Sequence, residues 1–356
     1  MTTLAVRRRK IINQLPEHKA KVLIVSGLPN VRYLSGFTGS NGLLLLSKDT
    51  SILLTDPRYT IQAGEESDCD VRVQRGSLYE AAAKLIARKK WKDIAIERNR
   101  LTFGGFAELQ EKLPLGSNLK PLSGLVEAQR MVKSPEEIAA IRASVDTNSK
   151  AYAEATNGLQ TGMTEIDLAA EIEYRMRRNG AERPAFETIV ASGPRTALPH
   201  AQPTPQKLHK LLLIDMGCVQ TGYASDMTRM LHIGKPGPQT RKLYKAVLEA
   251  QLAAIDSVRA GVNAGDVDRA ARKVLKAHGF EKEFVHSTGH GLGLEIHEPP
   301  RLGKKDATVL EAGMTITIEP GAYIQGVGGV RVEDTVLVTE KGCEILTPTV
   351  KELVIA

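Results

Sequence analysis

The chain is 356 residues long, 42% hydrophobic, 25% charged and only 4% aromatic, a globular composition that excludes a disulfide-stapled or wholly disordered polypeptide. At roughly 150 residues per domain it predicts about two domains, each long enough to bury its own core. The 48 Lys and Arg outnumber the 41 Asp and Glu for a net charge of +7, but the excess is spread along the chain without the interleaved aromatics of a nucleic-acid face.

The densest basic clusters, Arg7-Arg8-Arg9-Lys10 and Arg88-Lys89-Lys90-Trp91-Lys92, read as solvated helix faces. Ile11-Ile12-Asn13-Gln14-Leu15-Pro16 is too polar and too short for a signal-peptide apolar region. No apolar run approaches the ~18 residues of a membrane span; stretches such as Leu43 to Leu46 are strand-sized. Cys69, Cys218 and Cys343 are isolated, odd in number and without a CxxC pair, which suits a reducing compartment with neither disulfides nor a thiolate metal site. The expected location is the cytoplasm, with no nucleic-acid and no membrane partner.

Residues 1–127 alternate strand-like runs (Val22 to Leu28, Gly42 to Leu46, Ser51 to Thr55, Ile94 to Glu97) with helical stretches such as Tyr79 to Lys89, the pattern of an open α/β domain. Gly36, Gly39 and Gly42 miss the GxGxxG spacing and read as turn glycines. A second domain, 128–356, is expected to open its first long helix at Ser134-Pro135-Glu136-Glu137, with Ser as N-cap, Pro at the first position and Glu at the third. Ile138, Ile141, Val145 and Tyr152 continue at helical spacing.

This second domain carries an internal echo. Gly162-Met163-Thr164 opens an amphipathic helix that stops at Gly180, and Gly261-Val262-Asn263 opens another that stops at Gly279, each with a Thr or Asn cap and a terminal Gly suited to a left-handed C-cap. A strand leading to a histidine follows in each copy, His200 in the first and His290 in the second. Duplication about a pseudo-twofold axis would bring the two strand ends to a common cleft.

The residues that carry chemistry cluster here. Leu211-Leu212-Leu213-Ile214 runs into Asp215, and Asp226 follows a turn, so a tight hairpin centred between Gln220 and Thr221 would set the two carboxylates opposite each other, ~5 Å apart. Like charges that close are costly unless something positive sits between them; a metal is the simplest explanation, and a solvated acid pair at the rim is the alternative. Glu319 and Glu333 repeat the pattern: Thr315, Thr317 and Glu319 alternate with Ile316 and Ile318, and Arg331, Glu333 and Thr335 alternate with Val330, Val332 and Val336, around Gly326, Gly328 and Gly329. Between the hairpins, His286, His290 and His297 put three of the eight histidines within twelve residues, among glycines that allow close backbone approach. Four carboxylates and one imidazole without sulfur favour Mn²⁺, with Co²⁺ and Zn²⁺ as alternatives. Four acids overload one divalent ion, whereas two ions ~3.5 Å apart match the charge and generate a hydrolytic nucleophile at neutral pH.

In their order and spacing, Asp215, Asp226, His290, Glu319 and Glu333, with GHGLGLEIHE from Gly289 to Glu298 and ITIEPGAY from Ile316 to Tyr323, resemble the pita-bread metallopeptidases, which include methionine aminopeptidase, aminopeptidase P and prolidase. The likeness covers essentially the whole chain. It implies an α+β fold: a C-terminal pita-bread catalytic domain of duplicated αβ halves, preceded by a smaller α/β creatinase-type domain that methionine aminopeptidases lack. By position it implies that Asp215 and Asp226 bind one metal, that Asp226 and Glu333 bridge, and that His290 and Glu319 complete the other shell. Glu319 resembles the proton shuttle. His200 and His297 match histidines that contact substrate and the developing oxyanion, while His286 and Arg331 match supporting residues, Arg331 holding an aspartate ligand.

The reaction so implied is hydrolysis of the bond between an N-terminal residue and a following proline, by a homodimer. Arg301, in the HEPPR segment, matches an arginine of archaeal-type prolidases that would capture the free proline carboxylate. That favours a Xaa-Pro dipeptidase. Phe37-Thr38-Gly39-Ser40-Asn41-Gly42 resembles bacterial aminopeptidase P instead, which keeps action on longer peptides as the alternative. Creatinase-like and binding-only relatives that work without metal lose several ligand positions, all five of which are filled here.

Overall fold

The computed structural model describes residues 2–355, and the chain divides into two compact units, Met1–Arg130 and Met131–Ala356. Among the described residues no helix is long and apolar enough to cross a membrane. All three cysteines are free thiols.

The first unit is built on a six-stranded sheet in the order Asp70–Val73, Ser51–Thr55, Gly42–Ser47, Val22–Val25, Asp93–Glu97, Asn118–Leu122. Only Gly42–Ser47 runs antiparallel to its neighbours. Its Leu43 and Leu45 side, with Val22 and Ile24, packs against Ala82, Ala83 and Ile86 of the helix Leu78–Lys89. The expected strand from Val22 to Leu28 stops at Val25. Pro29 lies in the first turn of a helix, Leu28–Ser35, where its fixed φ and missing N–H cost nothing. The basic cluster at Arg7 to Lys10 is also not wholly solvated. Arg8 shares a helical face with Ile11, is buried, donates to Leu34 O at 2.8 Å and pairs with Asp68 at 2.6 Å. Arg7 lies 4.1 Å from the centroid of the Tyr33 ring. Arg88, Lys89, Lys90 and Lys92 are exposed as expected.

In the second unit Ser134 and Glu137 form a reciprocal capping box at the head of the helix Pro135–Asn157. The internal echo is structural. Helices Pro135–Asn157 and Glu165–Arg178 precede a sheet in which Leu211–Met216 lies between Ile189–Ser192 and Met227–His232. Helices Pro238–Ser257 and Ala264–Ala277 precede one in which Thr315–Ile318 lies between Gly289–Gly291 and Asp334–Val338. This is the duplicated architecture expected of a pita-bread domain. Each second helix is tied at its head by one isolated bridge, Thr164 to Lys207 and Asn263 to Val309, and the glycine two residues past each helix has positive φ, 106° at Gly180 and 82° at Gly279.

The copies differ in two ways from the sequence reading. Thr164 caps with its side chain, but Asn263 does not; Thr308 O and Asp306 O receive the Ala264 and Gly265 N–H groups instead. His290 lies within its strand, whereas His200 follows a 3₁₀ turn at Gly193–Ala197, so the two histidines are not equivalent.

Alternation along the strands decides which way each acid points. Leu212, Ile214 and Met216 pack on Ala151, Leu168 and Ile172 of the first helix pair, leaving Leu211, Leu213 and Asp215 on the other face. Ile316 and Ile318 pack with Val247, Ala250 and Val267 of the second pair, leaving Thr315, Thr317 and Glu319 on the face away from those helices. Thr315, Thr317 and Thr335 are 0% exposed, so the polar stripes of this ribbon are buried rather than solvated.

Candidate metal centre and substrate cavity

The backbone around Asp215 and Asp226 differs from a directly facing pair. The ladder pairs Asp215 with Thr228, Met216 with Met227 and Val219 with Ala224, a register that sets Asp226 opposite Gly217. The hairpin tip is Thr221-Gly222, with φ of 48° and 80°. Two consecutive left-handed residues make the two-residue turn that matches strand twist, and this moves the centre of the hairpin one residue beyond the Gln220/Thr221 midpoint. The aspartates are therefore diagonal neighbours on one face. Gly217 is required there, because a Cβ would stand 2.1 Å from Ser225 O.

Glu319 and Glu333 do face each other. Ile318 pairs with Asp334 on one side and Gly321 with Arg331 on the other, so the same register sets the two glutamates opposite one another where the ribbon passes from one sheet to the next. His290 arrives on the adjoining strand, pressed so close that a Cβ on Gly289 would stand 1.9 Å from Thr317 O. The His290 Nδ1–H donates to Gly291 O at 3.0 Å, which turns the Nε2 lone pair toward Asp226 Oδ2 at 3.6 Å and Glu319 Oε1 at 3.5 Å.

Ligand atoms of Asp226, His290 and Glu333 lie within 4.8 Å of one another. Burial, reinforced by the neighbouring acids, pushes the Asp226 and Glu333 carboxyl groups well above their ordinary range and lifts Glu319 to about 7. Burial also lowers His290 and favours its neutral form. Arg331 is the cation inside this group: its Nη2 meets Asp215 Oδ2 at 2.5 Å and its Nε donates to Thr228 Oγ1 at 3.0 Å. Thr228 in turn donates to Glu333 Oε2 at 2.8 Å. The remaining oxygens, Asp215 Oδ1 and Glu333 Oε1, are buried without a hydrogen-bond partner. Buried acceptors left in this state cost free energy that a cation would recover. Donor chemistry, orphaned oxygens and a lone pair aimed at the acids all fit a divalent metal centre.

All ten residues singled out in the sequence line one cavity of about 890 Å³. His286 is set deep: burial and the Arg331 charge lower it to about 4. Its Nδ1–H donates to Ser287 O at 2.8 Å, and its Nε2 accepts from the Tyr323 hydroxyl at 2.9 Å. His200, His297 and Arg301 are exposed in the cavity. The His297 ring stands edge-on to His290 with centroids 4.4 Å apart. Arg301 is the cross-strand partner of His290, and its Nε donates to Ser287 Oγ at 3.4 Å.

Three supports went unread in the sequence. Tyr323 ends the ITIEPGAY segment and links His286 to Arg331, which donates to its hydroxyl at 2.6 Å. Thr228 stands two residues beyond Asp226 on the same face, the only signal it offered. Asp268, fully buried on Ala264–Ala277, pairs with Arg272 at 2.7 Å and accepts from the Thr288 hydroxyl at 2.9 Å, gripping the segment that leads into His290. The spacing of four to Arg272 is a local helical signal, but the partner that gives Asp268 its role, Thr288, is 20 residues away.

Comparison with known proteins identifies the fold and the family. The chain is 36% identical over 351 residues to a Xaa-Pro dipeptidase of Pyrococcus horikoshii, covering 97% of this chain and 98% of that one. Among solved structures it is similar to a Xaa-Pro dipeptidase from Bacillus anthracis (TM-score 0.96, 33% identity, 99% of this chain and 100% of the other). It is also similar to an X-Pro aminopeptidase from Thermotoga maritima (TM-score 0.90, 35% identity, 98% and 100%). Residues 7–132 match the Creatinase/Prolidase N-terminal domain and residues 139–340 match Metallopeptidase family M24; the chain belongs to that family of metal-dependent hydrolases.

Proposed function

We propose that this protein is a Xaa-Pro dipeptidase whose centre is formed by Asp215, Asp226, His290, Glu319 and Glu333. The observation that carries the reading is the gathering of these acids and one imidazole in a single cavity, with buried carboxylate oxygens left without partners, in a chain matching Xaa-Pro dipeptidases over almost its whole length. Two Mn²⁺ ions suit four hard carboxylates better than one ion would. Bound there, they would lower the pKa of water and polarise the scissile carbonyl.

The remaining work falls to the chain's own groups. Glu319, beside His290 in the cavity, takes the proton of the attacking water and returns it to the proline nitrogen as the C–N bond breaks. His200 and His297, exposed in the cavity, donate to the oxygen that becomes negative. Arg331 holds Asp215 in orientation. The Xaa-Pro bond has no N–H, so recognition rests on shape and terminal charges, and Arg301 beside Ser287 offers its fork to the free carboxylate of a C-terminal proline.

The Thermotoga maritima likeness and the Phe37 to Gly42 segment favour a second reading, aminopeptidase P action on longer peptides. Purified protein loaded with Mn²⁺ and given Ala-Pro and Ala-Pro-Ala separates them. Proline release from the dipeptide with weak tripeptide cleavage is expected, strong tripeptide turnover alone would select the second reading, and no cleavage of either would end both. A homodimer in the cytoplasm completes the proposal, checked by light scattering and by fractionation.

A further inference from the structure

His200 is exposed in the cavity and, among the described residues, makes no hydrogen bond of its own. Its place therefore depends on the segment that carries it, which leaves the strand Ile189–Ser192, turns through Gly193–Ala197 and runs on past Thr204.

One side chain gathers both ends of that segment. Glu165, the first residue of the helix Glu165–Arg178 and 0% exposed, accepts the Ser192 N–H on Oε1 at 2.8 Å and the Thr204 N–H on Oε2 at 3.0 Å. The Ser192 and Thr204 hydroxyls donate to the same two oxygens at 3.2 and 2.7 Å. Arg195 Nε bridges both oxygens at 3.3 and 3.2 Å, and its Nη2 donates to Gln202 O at 2.6 Å. On the other side of the histidine, Arg331 Nη1 donates to Pro199 O at 3.1 Å. His200 thus lies between two carbonyls, each held by a guanidinium, one of them paired with Asp215 and the other with Glu165.

The second half of the domain uses the same chemistry. Asp268, also 0% exposed, pairs with Arg272 and accepts both the N–H and the hydroxyl of Thr288, on the segment that leads into His290. Glu165 opens its helix, whereas Asp268 lies well inside Ala264–Ala277, so the two acids do not occupy equivalent positions of the repeat. A recurrence at different positions points to a requirement of the site rather than to a relic of duplication. Stability alone does not call for such a group, because a buried charge pays a desolvation cost that an apolar side chain of similar volume avoids. What a carboxylate adds is direction, since its donors hold only in one arrangement of the loop.

We propose that Glu165 is the positioning residue for His200, closing the 192–204 segment so that the imidazole is held over the reacting carbonyl. The proposal rests on the dipeptidase reading for the reaction that His200 serves, but the closure itself is a property of the loop.

The test uses the full chain loaded with Mn²⁺ and Ala-Pro as substrate. In Glu165→Gln, kcat should fall about 10- to 100-fold with KM changed less than about threefold, the usual effect of losing a group that orients a reacting side chain. In a His200→Ala background the same change should cost less than about threefold in kcat, because nothing remains to be positioned. Mn²⁺ affinity by calorimetric titration should stay within about threefold of wild type, since the segment carries none of the five proposed ligands. Should Glu165→Gln not fold, Arg195→Met, at a side chain 26% exposed, serves for the same comparisons. Unchanged kcat, equal losses with and without His200, or a loss of Mn²⁺ affinity that matches the loss of kcat would overturn the proposal. Hydrogen exchange gives a readout that needs no turnover: residues 193–204 should exchange faster in the variant, while Asp334–Val338 keeps its protection. Unaltered exchange in that segment would refute the closure whatever the substrate proves to be, whereas inactive wild-type protein with an accelerated segment in the variant would refute the dipeptidase reading alone.

Discussion

Loading the centre with metal must expel protons, by an amount the geometry sets. With its carboxyl raised to about 7, Glu319 is roughly nine-tenths protonated at pH 6 and has to lose that proton before offering an oxygen to a cation. Between pH 7 and pH 5 this one group weakens Mn²⁺ binding roughly 50-fold, about 2 kcal/mol. Asp226 and Glu333, also raised, steepen the slope, while His290, lowered by burial, enters mostly neutral. Calorimetric titration of Mn²⁺ into metal-free protein at pH 6, in buffers of different ionisation enthalpy, counts the protons: roughly one or more is expected per protein, and Glu319→Gln should remove about one. These carboxyl groups titrate higher in the folded protein than in the unfolded chain, where the ordinary values are 3.8 for Asp and 4.5 for Glu. They therefore favour the metal-free fold fully below those values, and that support is lost as pH rises through 7. The rise in melting temperature on adding Mn²⁺ should accordingly widen from pH 5 to pH 8. Release of less than about a third of a proton at pH 6, with affinity flat from pH 5 to 7, would refute the reasoning.

Three further outcomes follow from the same site. Arg331→Met leaves Asp215 without its buried partner, so metal-free protein should lose about 3–5 kcal/mol and melt roughly 6–20 °C lower by scanning calorimetry. Gly289→Ala drives a Cβ against Thr317 O at 1.9 Å; the strand must shift, costing about 1–3 kcal/mol, and equilibrium dialysis should find Mn²⁺ affinity reduced because His290 moves with it. Arg301→Ala should raise KM for Ala-Pro at least about tenfold through loss of a charge-assisted contact, with kcat nearly unchanged. An equal effect on Ala-Pro-Ala would remove Arg301 from carboxylate recognition.

The chain order of Asp215, Asp226, His290, Glu319 and Glu333, the alternation that gives each acid a face and the Ser134 capping box are all local. Residue type and spacing within a few positions mark the two ribbons, the helix starts and the three-histidine segment, while the resemblance to the pita-bread metallopeptidases implied Arg301, Arg331 and the role of His200; all ten residues line one cavity. Pro29 shows where local reading slips, since an apolar run continues through Leu28 while a single ring decides that a helix has begun.

Tertiary structure decided whatever depends on partners far along the chain. Arg8 looked solvated until Asp68 and the Leu34 carbonyl met it. Asp215 and Asp226 looked like facing partners until two positive φ values at Thr221 and Gly222 set the register. The orphaned oxygens of Asp215 and Glu333 and the raised carboxyl of Glu319 exist only once two sheets close around them. Desolvation depends on everything packed nearby, and no stretch of sequence carries that environment within itself.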